Sequence, residues 1–167
     1  MSTRSPRSEL EVTAIIEVPT GSRNKYELDH ATGAVWLDRR LFTSMQYPAD
    51  YGYIEDTIAE DGDPLDIFVV VADPTFPGCH IRVRPIGLLR MHDEKGPDSK
   101  ILALPVWDTS RDWTDIGDAP RELLDEIEHF FQRYKDLEPG KFSEVEGWDG
   151  VQAAEREVRR FLKPEAE

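Results

Sequence analysis

Two periodicities divide this chain, and the order in which they come restricts the folds open to it. In the first two thirds the apolar residues fall in short β-branched runs: "VTAIIEV" (Val12 to Val18), "LDIFVVVAD", "HIRVRPIGLLRM" and "KILALPVWD", separated by Gly and Pro turns. Such runs read as strands of a small barrel or sandwich. "NKYELDHATGAVWLDRRLF" reads as a hairpin turning near "HATG", with Lys25, Glu27 and Asp29 on one face and Tyr26 and Leu28 on the other. "YPADYGYIED", aromatic-rich with a Pro and a Gly, reads as an irregular, edge-like piece. Then the period changes. "DAPRELLDEIEHFFQRYKDL" sets Leu123, Leu124, Ile127, Phe130, Phe131, Tyr134 and Leu137 at helical spacing behind Asp118 as N-cap. "GWDGVQAAEREVRRFLK" is a second amphipathic helix built on Val151, Ala154, Val158, Phe161 and Leu162, with Glu155–Arg159 as an i,i+4 pair. Strands first and helices last describe an α+β domain, a β-barrel with two helices of the C-terminal half packed against it. A length of 167 residues suits one such domain. Residues 1–10, mostly polar, are expected to be a flexible segment and 11–167 a single domain.

Charge narrows the partners. A net charge of −14 argues against nucleic acid, whose phosphates want a basic face, and against an anionic membrane surface. No apolar run approaches a membrane span, and "MSTRSPRSEL" lacks the apolar core of a secretory signal. The single Cys79 permits no internal disulfide and suits a reducing compartment, so a cytoplasmic location is expected.

The acidic residues are not spread evenly. "DGDPLD" places Asp61, Asp63 and Asp66 within six positions, directly ahead of an apolar strand. Like charges at that range repel, and none is buried cheaply without a partner. One account is a solvated turn, since Asp-Gly and Asp-Pro are turn formers. The other is a cation among the carboxylates. A calcium loop of the EF-hand type fails, because its sixth position would be Gly and is Asp66, and its twelfth would be Glu and is Ala72. A dedicated zinc site fails too, as His30, His80, His92, His129 and Cys79 show no ligand spacing. A second acidic loop, "RMHDEKGPDSK", carries Asp93, Glu94 and Asp98 between two predicted strands, Glu94 reading as part of a solvated turn. Glu17 adds a charge inside an apolar strand. Oxygen-only ligands of this kind suit hard cations such as Mg2+ or Mn2+.

Lys25, Arg39, Lys100 and Lys135 each stand beside an acid, in "KYE", "DR", "DSK" and "YKD". Surface salt bridges are the plain account, each worth little. A site that grips phosphoryl oxygens with Lys and Arg while carboxylates hold metal is the sharper one. Tyr51 and Tyr134 could donate to the same oxygens, although packing alone accounts for Tyr134 on an apolar helix face.

Taken together these segments resemble the family I soluble inorganic pyrophosphatases of the short prokaryotic type. "DGDPLD" matches that family's motif, and "IEVP", "GSRNKYELD", "LDR", "YPADYGYI", "DEKGPDSK" and "HFFQRYKDLEPGK" recur in the family's order, from about Val12 to Trp148. Asp50 stands where many members have Asn, and His30 looks like an actinobacterial variant to which no role is assigned. The resemblance implies a small closed OB-like barrel with helices packed against it, a single pyrophosphatase domain, and a homohexamer. It implies Mg2+-dependent hydrolysis of pyrophosphate to two orthophosphates, with several Mg2+ per site and Mn2+ or Zn2+ able to substitute. By position, Asp61, Asp66 and Asp98 would hold the tight metals, and Glu17 and Asp93 those arriving with substrate. Lys25, Arg39, Tyr51, Lys100, Tyr134 and Lys135 would contact pyrophosphate or the leaving phosphate. Glu27 and Tyr47 would line the site, with Lys141 near it.

On that assignment the site holds seven carboxylates (Glu17, Glu27, Asp61, Asp63, Asp66, Asp93, Asp98) against four cations (Lys25, Arg39, Lys100, Lys135), a net of −3. Such a site repels a polyanion until divalent ions reverse its sign. A water bridging two metals would attack phosphorus in line, with Asp63 as its base and Asp98 as the alternative. Two rival readings remain at this level: a non-catalytic acidic module binding cations or a protein, and a two-metal phosphodiesterase. The first leaves the four cations unexplained, and the second wants a basic groove that the composition does not supply.

Overall fold

The computed structural model describes residues 6–164. In chain order the strands are β1 (Val12–Val18), β2 (Asn24–Leu28), β3 (Val35–Arg40), β4 (Asp50–Ile54), β5 (Asp66–Val69), β6 (His80–Asp93), β7 (Gly96–Pro97), β8 (Lys100–Pro105) and β9 (Ser143–Asp149). Helix α1 (Arg121–Arg133) precedes β9 and α2 (Val151–Phe161) follows it. Five strands close on themselves: β1 pairs with β4, β4 with β5, β5 with β8, β8 with β6, and β6 returns to β1. Only the β5–β8 pairing in this ring is parallel. Closure removes the unpaired edges that an open sheet of this size would expose. The expected barrel with two late helices forms, but the strands do not all precede the helices: β9 lies between α1 and α2 and takes Gly147, Trp148 and Asp149, read from the sequence as the start of the second helix, into a ladder with β6.

The 14-residue β6 makes closure work. Its first half pairs with β1 and β8; its second half also takes β9, from Leu88↔Asp149 to Asp93↔Ser143. The change comes with an irregularity between Pro85 and Gly87, where a residue without an N–H interrupts the ladder. Alternation along β5 and β8 then feeds two cores. Ile67, Val69, Ile101 and Ala103 join residues from all five ring strands in a cluster closed by Ala154 and Val158 of α2. Phe68, Leu102 and Leu104 point the other way, onto Leu124, Ile127, Phe130 and Phe131 of α1.

Several local expectations change. The "YPADYGYIED" segment is not an edge, because its β4 sits between β1 and β5 in the ring. Gly52 permits this, since a Cβ there would lie 1.9 Å from the Ile15 carbonyl oxygen. Asp118 does not cap α1. It ends a short 3₁₀ turn, and its carboxylate accepts from the N–H groups of Thr114 (2.9 Å) and Asp115 (3.2 Å), while Pro120 flanks the helix. Helix α1 stops at Arg133 rather than continuing to Leu137, which is exposed. Turns closed by Asp136 N–H to Arg133 O and Glu138 N–H to Lys135 O replace it ahead of Pro139-Gly140. Leu162 leaves α2 to bridge Thr57, and the Glu155 carboxylate accepts from Ser8 Oγ at 2.5 Å. Of the N-terminal segment, residues 1–5 lie outside the described residues, while Ser8 is buried.

Candidate active site

β2 and β3 form a separate two-stranded sheet, off the ring. Between this hairpin and the ring opens a cleft lined by Glu17, Lys25, Tyr26, Glu27, His30, Tyr51, Tyr53, Asp63 and Asp66. Each wall follows from the pleat. Tyr51 on β4 and Asp66 on β5 are ladder neighbours, Tyr51 pairing with Phe68 and Asp66 with Tyr53. Asp66 in turn stands beside Lys100, the first residue of β8. The loop ahead of β5 turns at Gly62, whose φ of +86° a side chain would resist. There the Asp61 carboxylate accepts from the Asp63 N–H at 3.0 Å. Asp61 lines an adjoining groove with Asp66 and Asp98.

At the centre is a buried ammonium. Lys100, only 2% exposed, places its Nζ 2.5 Å from Asp66 Oδ2, 2.9 Å from Asp98 Oδ2 and 3.1 Å from Tyr51 Oη. Tyr51 also donates to Asp66 Oδ2 at 2.8 Å. Burial alone would lower the Lys100 pKa, but Asp66 and Asp98 outweigh it and hold the group above the ordinary lysine range. Burial raises Asp98, with Asp66 and Asp93 adding to it against the pull of Lys100. Tyr51, Tyr47 and Tyr134 are all pushed up by burial, which keeps them protonated donors. Tyr47 packs on Tyr51 and Phe130, and Tyr134 stacks on Phe130 with ring centroids 5.2 Å apart.

The periphery is paired as well. Lys135 Nζ lies 3.3 Å from Asp93 Oδ2 and 3.6 Å from Glu94 Oε1, so Glu94 takes part in an ion pair rather than only in a solvated turn. Lys25 approaches Asp38 at 3.8 Å, and burial lowers its pKa with help from the Arg39 and Lys135 charges. Arg39 reaches Asp38 at 3.2 Å and Glu138 at 2.9 Å; Lys141 reaches Glu138 at 3.6 Å. Glu17 accepts from the Leu28 N–H at 2.8 Å, yet burial outweighs that bond and, with Asp66 and Glu27 nearby, lifts its pKa to about 7.

Among the described residues no three His, Cys, Asp or Glu side chains already converge closely enough to grip an ion. Asp66 and Asp98 are instead drawn together by the Lys100 ammonium. The donor set nevertheless fits a hard cation: Asp61, Asp66 and Asp98 border one groove and supply oxygen only.

Of the expected residues, Glu17, Lys25, Glu27, Tyr51, Asp61, Asp63, Asp66 and Asp98 line the cleft or the adjoining groove with Lys100 between Asp66 and Asp98, while Arg39, Lys141 and the Lys135–Asp93 pair line neither. Asp29 leaves the face of Lys25 and Glu27, and its carboxylate instead caps the turn through the Ala31 and Thr32 N–H groups. A bulge between Lys25 and Tyr26 brings Tyr26 into the cleft wall with them. His30 is an exposed turn residue at the rim of the cleft, its ring 4.9 Å from that of Tyr53. Asp38 and Glu138 were not anticipated. Their signal lay in "LDRR" and "KDLEPGK", where a carboxylate stands next to, or three residues from, cations of the site.

The model of the inorganic pyrophosphatase family matches residues 14–164, nearly the whole described chain. The chain belongs to the inorganic pyrophosphatase family. It is similar to the inorganic pyrophosphatase of Leifsonia xyli, with 55% identity over 149 residues covering 87% of this chain and 90% of that protein. The inorganic pyrophosphatase of Streptomyces coelicolor is 52% identical over 92% of this chain and 95% of its own. Among solved structures, the inorganic pyrophosphatase from Thermus thermophilus superposes with a TM-score of 0.89 at 46% identity, covering 95% of this chain and 92% of that one. No helix among the described residues is long and apolar enough to cross a membrane.

Proposed function

We propose that this chain hydrolyses inorganic pyrophosphate to two orthophosphates, with Mg2+ held by carboxylates and Mn2+ or Zn2+ as substitutes. The observation that carries this reading is the buried Lys100 ammonium shared by Asp66, Asp98 and Tyr51, beside a cleft that also presents Lys25 and Asp63. Structural surface pairs are exposed and cheap; a lysine buried between two carboxylates is costly to desolvate, and perturbed groups of this kind beside an open cleft cluster at functional sites.

In this proposal Asp61, Asp66 and Asp98 hold the tight ions, and Glu17 and Asp93 those that arrive with substrate. When bound, the ions offset the acidic excess of the cleft and acidify the attacking water. Lys25, Arg39 and Lys135 grip phosphoryl oxygens, and Lys100, Tyr51 and Tyr134 meet charge that grows on the leaving phosphate. Asp63 takes the water's proton. It is exposed at the cleft, whereas Asp98 is already bonded to Lys100 and so is the poorer base. A cytoplasmic location and a homohexamer belong to the same proposal, the first resting on the lone Cys79 and acidic composition, the second on family resemblance.

The test is orthophosphate release from pyrophosphate by the purified chain with and without Mg2+. Release that depends on Mg2+ is expected. No release with Mg2+, Mn2+ or Zn2+ would return the chain to the reading of a cation-binding module.

A further inference from the structure

A hairpin outside the ring has no strand ladder to the barrel, yet β2 and β3 carry Lys25 and Arg39. Backbone bonds between Gly21, Ser22 and Tyr47 hold its base, and side-chain ties hold it further out. On the β2 side, Glu17 of β1 holds the Leu28 N–H at 2.8 Å. On the β3 side the tie is ionic. Arg39 Nη2 lies 2.9 Å from Glu138 Oε1, and Nη1 lies 3.2 Å from Asp38 Oδ2. These two anchors are not equivalent. Asp38 is the neighbouring residue on the same strand, so it moves with the hairpin, and it divides its charge between Arg39 and Lys25. Glu138 stands in the turn after α1, outside the hairpin, and is 8% exposed. A carboxylate so buried needs cationic partners. Lys141 approaches the same oxygen at 3.6 Å, a second cation beside the carboxylate.

We infer that Glu138 is a positioning residue, tying the Arg39 guanidinium to the α1–β9 connection so that its remaining N–H donors are held beside Lys25, its cross-strand partner in the cleft wall. A guanidinium has five donors in a rigid plane, and holding one end by a carboxylate leaves the others oriented for an oxyanion. This rests on the proposed pyrophosphate reading for what Arg39 grips. Without Glu138, Arg39 keeps only Asp38, and the order that Glu138 imposes must be supplied again each time substrate binds. Re-immobilising one such side chain weakens affinity by about three- to tenfold.

The experiment compares Glu138→Met and the conservative Glu138→Gln with the natural chain, each in the Arg39 and Arg39→Ala backgrounds. With Mg2+ present, calorimetry gives the Kd of methylenediphosphonate, a non-hydrolysable pyrophosphate analogue; kinetics give KM and kcat for pyrophosphate. Glu138→Met is expected to raise Kd and KM about three- to tenfold, and Glu138→Gln, which keeps an acceptor, to recover most of that. In the Arg39→Ala background the Glu138→Met effect should fall below about twofold, which a merely structural residue would not do. An effect of equal size without Arg39, unchanged affinity, or tighter binding would each overturn the inference. Should Glu138→Met not fold, Glu138→Ala, which also removes the acceptor, carries the same comparison: a rise that vanishes in Arg39→Ala supports the inference, and none overturns it. A natural chain that hydrolyses pyrophosphate while the variants match it sinks the inference alone. A natural chain that neither binds nor hydrolyses sinks the proposed function, and the inference with it.

Discussion

Replacing Lys100 by Met removes the cation from between two carboxylates while keeping an unbranched side chain of similar length. In the metal-free protein, Asp66 and Asp98 then face each other without the cation, their Oδ2 atoms having both been bonded to Nζ within 2.9 Å. Removing one partner of a buried ion pair costs about 3–5 kcal/mol. Asp66 retains 29% of its side-chain exposure, so solvent relieves part of that and the lower end, about 3 kcal/mol, applies. For a chain of this size that lowers the Tm by about 6–12 °C. Two controls give the number a cause. Asp98 is already raised by burial and by Asp66, and without Lys100 it rises further, so lowering the pH protonates the pair and shrinks the loss. Millimolar Mg2+ supplies a replacement cation and should restore more stability to Lys100→Met than to the natural chain. Thermal unfolding in chelator and in Mg2+, at pH 5 and pH 8, measures all of this. A loss under about 1 kcal/mol, or one indifferent to both pH and Mg2+, would refute the claim that Lys100 serves as the counter-ion of Asp66 and Asp98.

Glu17 gives a pH prediction of definite sign. Its folded pKa of about 7 lies above the free value of 4.5, so between those values the folded state keeps a proton that the unfolded state releases. The metal-free protein should therefore lose stability as pH rises through that window, by about 1–2 kcal/mol once partial exposure is discounted from an upper bound of about 3. Denaturant unfolding in chelator should show that slope, and Glu17→Gln should flatten it; a slope of the opposite sign would sink the argument. Asp63→Asn should fold and bind Mg2+ but lose about 10²–10⁴-fold in turnover, and near-native turnover at neutral pH would remove Asp63 as the base. Ca2+ should bind and suppress Mg2+-dependent orthophosphate release, because it prefers six to eight oxygens at about 2.3–2.6 Å over the compact octahedron of Mg2+. Equal hydrolysis with Ca2+ would show that ion size does not matter here.

What the sequence alone determined is everything that depends on local period and residue type. Alternating β-branched runs can form only strands, and the spacing of Leu124, Ile127, Phe130 and Phe131 forms a helix face whatever it packs against. "DGDPLD" with Lys25, Arg39 and Lys100 is legible as a site because a solvated turn and surface salt bridges explain each piece alone but not the acids, the cations and the family motif order together. Tertiary structure decided what depends on partners far away in the chain. β4 reads as an edge by composition and becomes a ring strand only because Gly52 lets it press against Ile15. Helix α1 stops short of Leu137 because the turns after Arg133 bring Lys135 to Asp93 and Glu138 to Arg39, contacts that no periodicity encodes. His30 stays an exposed turn residue, but that its ring meets Tyr53 of β4 depends on how the hairpin lies against the ring. Lys100 reads from the sequence as a site cation beside an acid, but only the parallel pairing of β5 with β8 places it beside Asp66, where burial turns an ordinary ion pair into the centre of the site. Local propensity acts over a few residues, whereas burial and charge pairing act through space, and this site is assembled by the second.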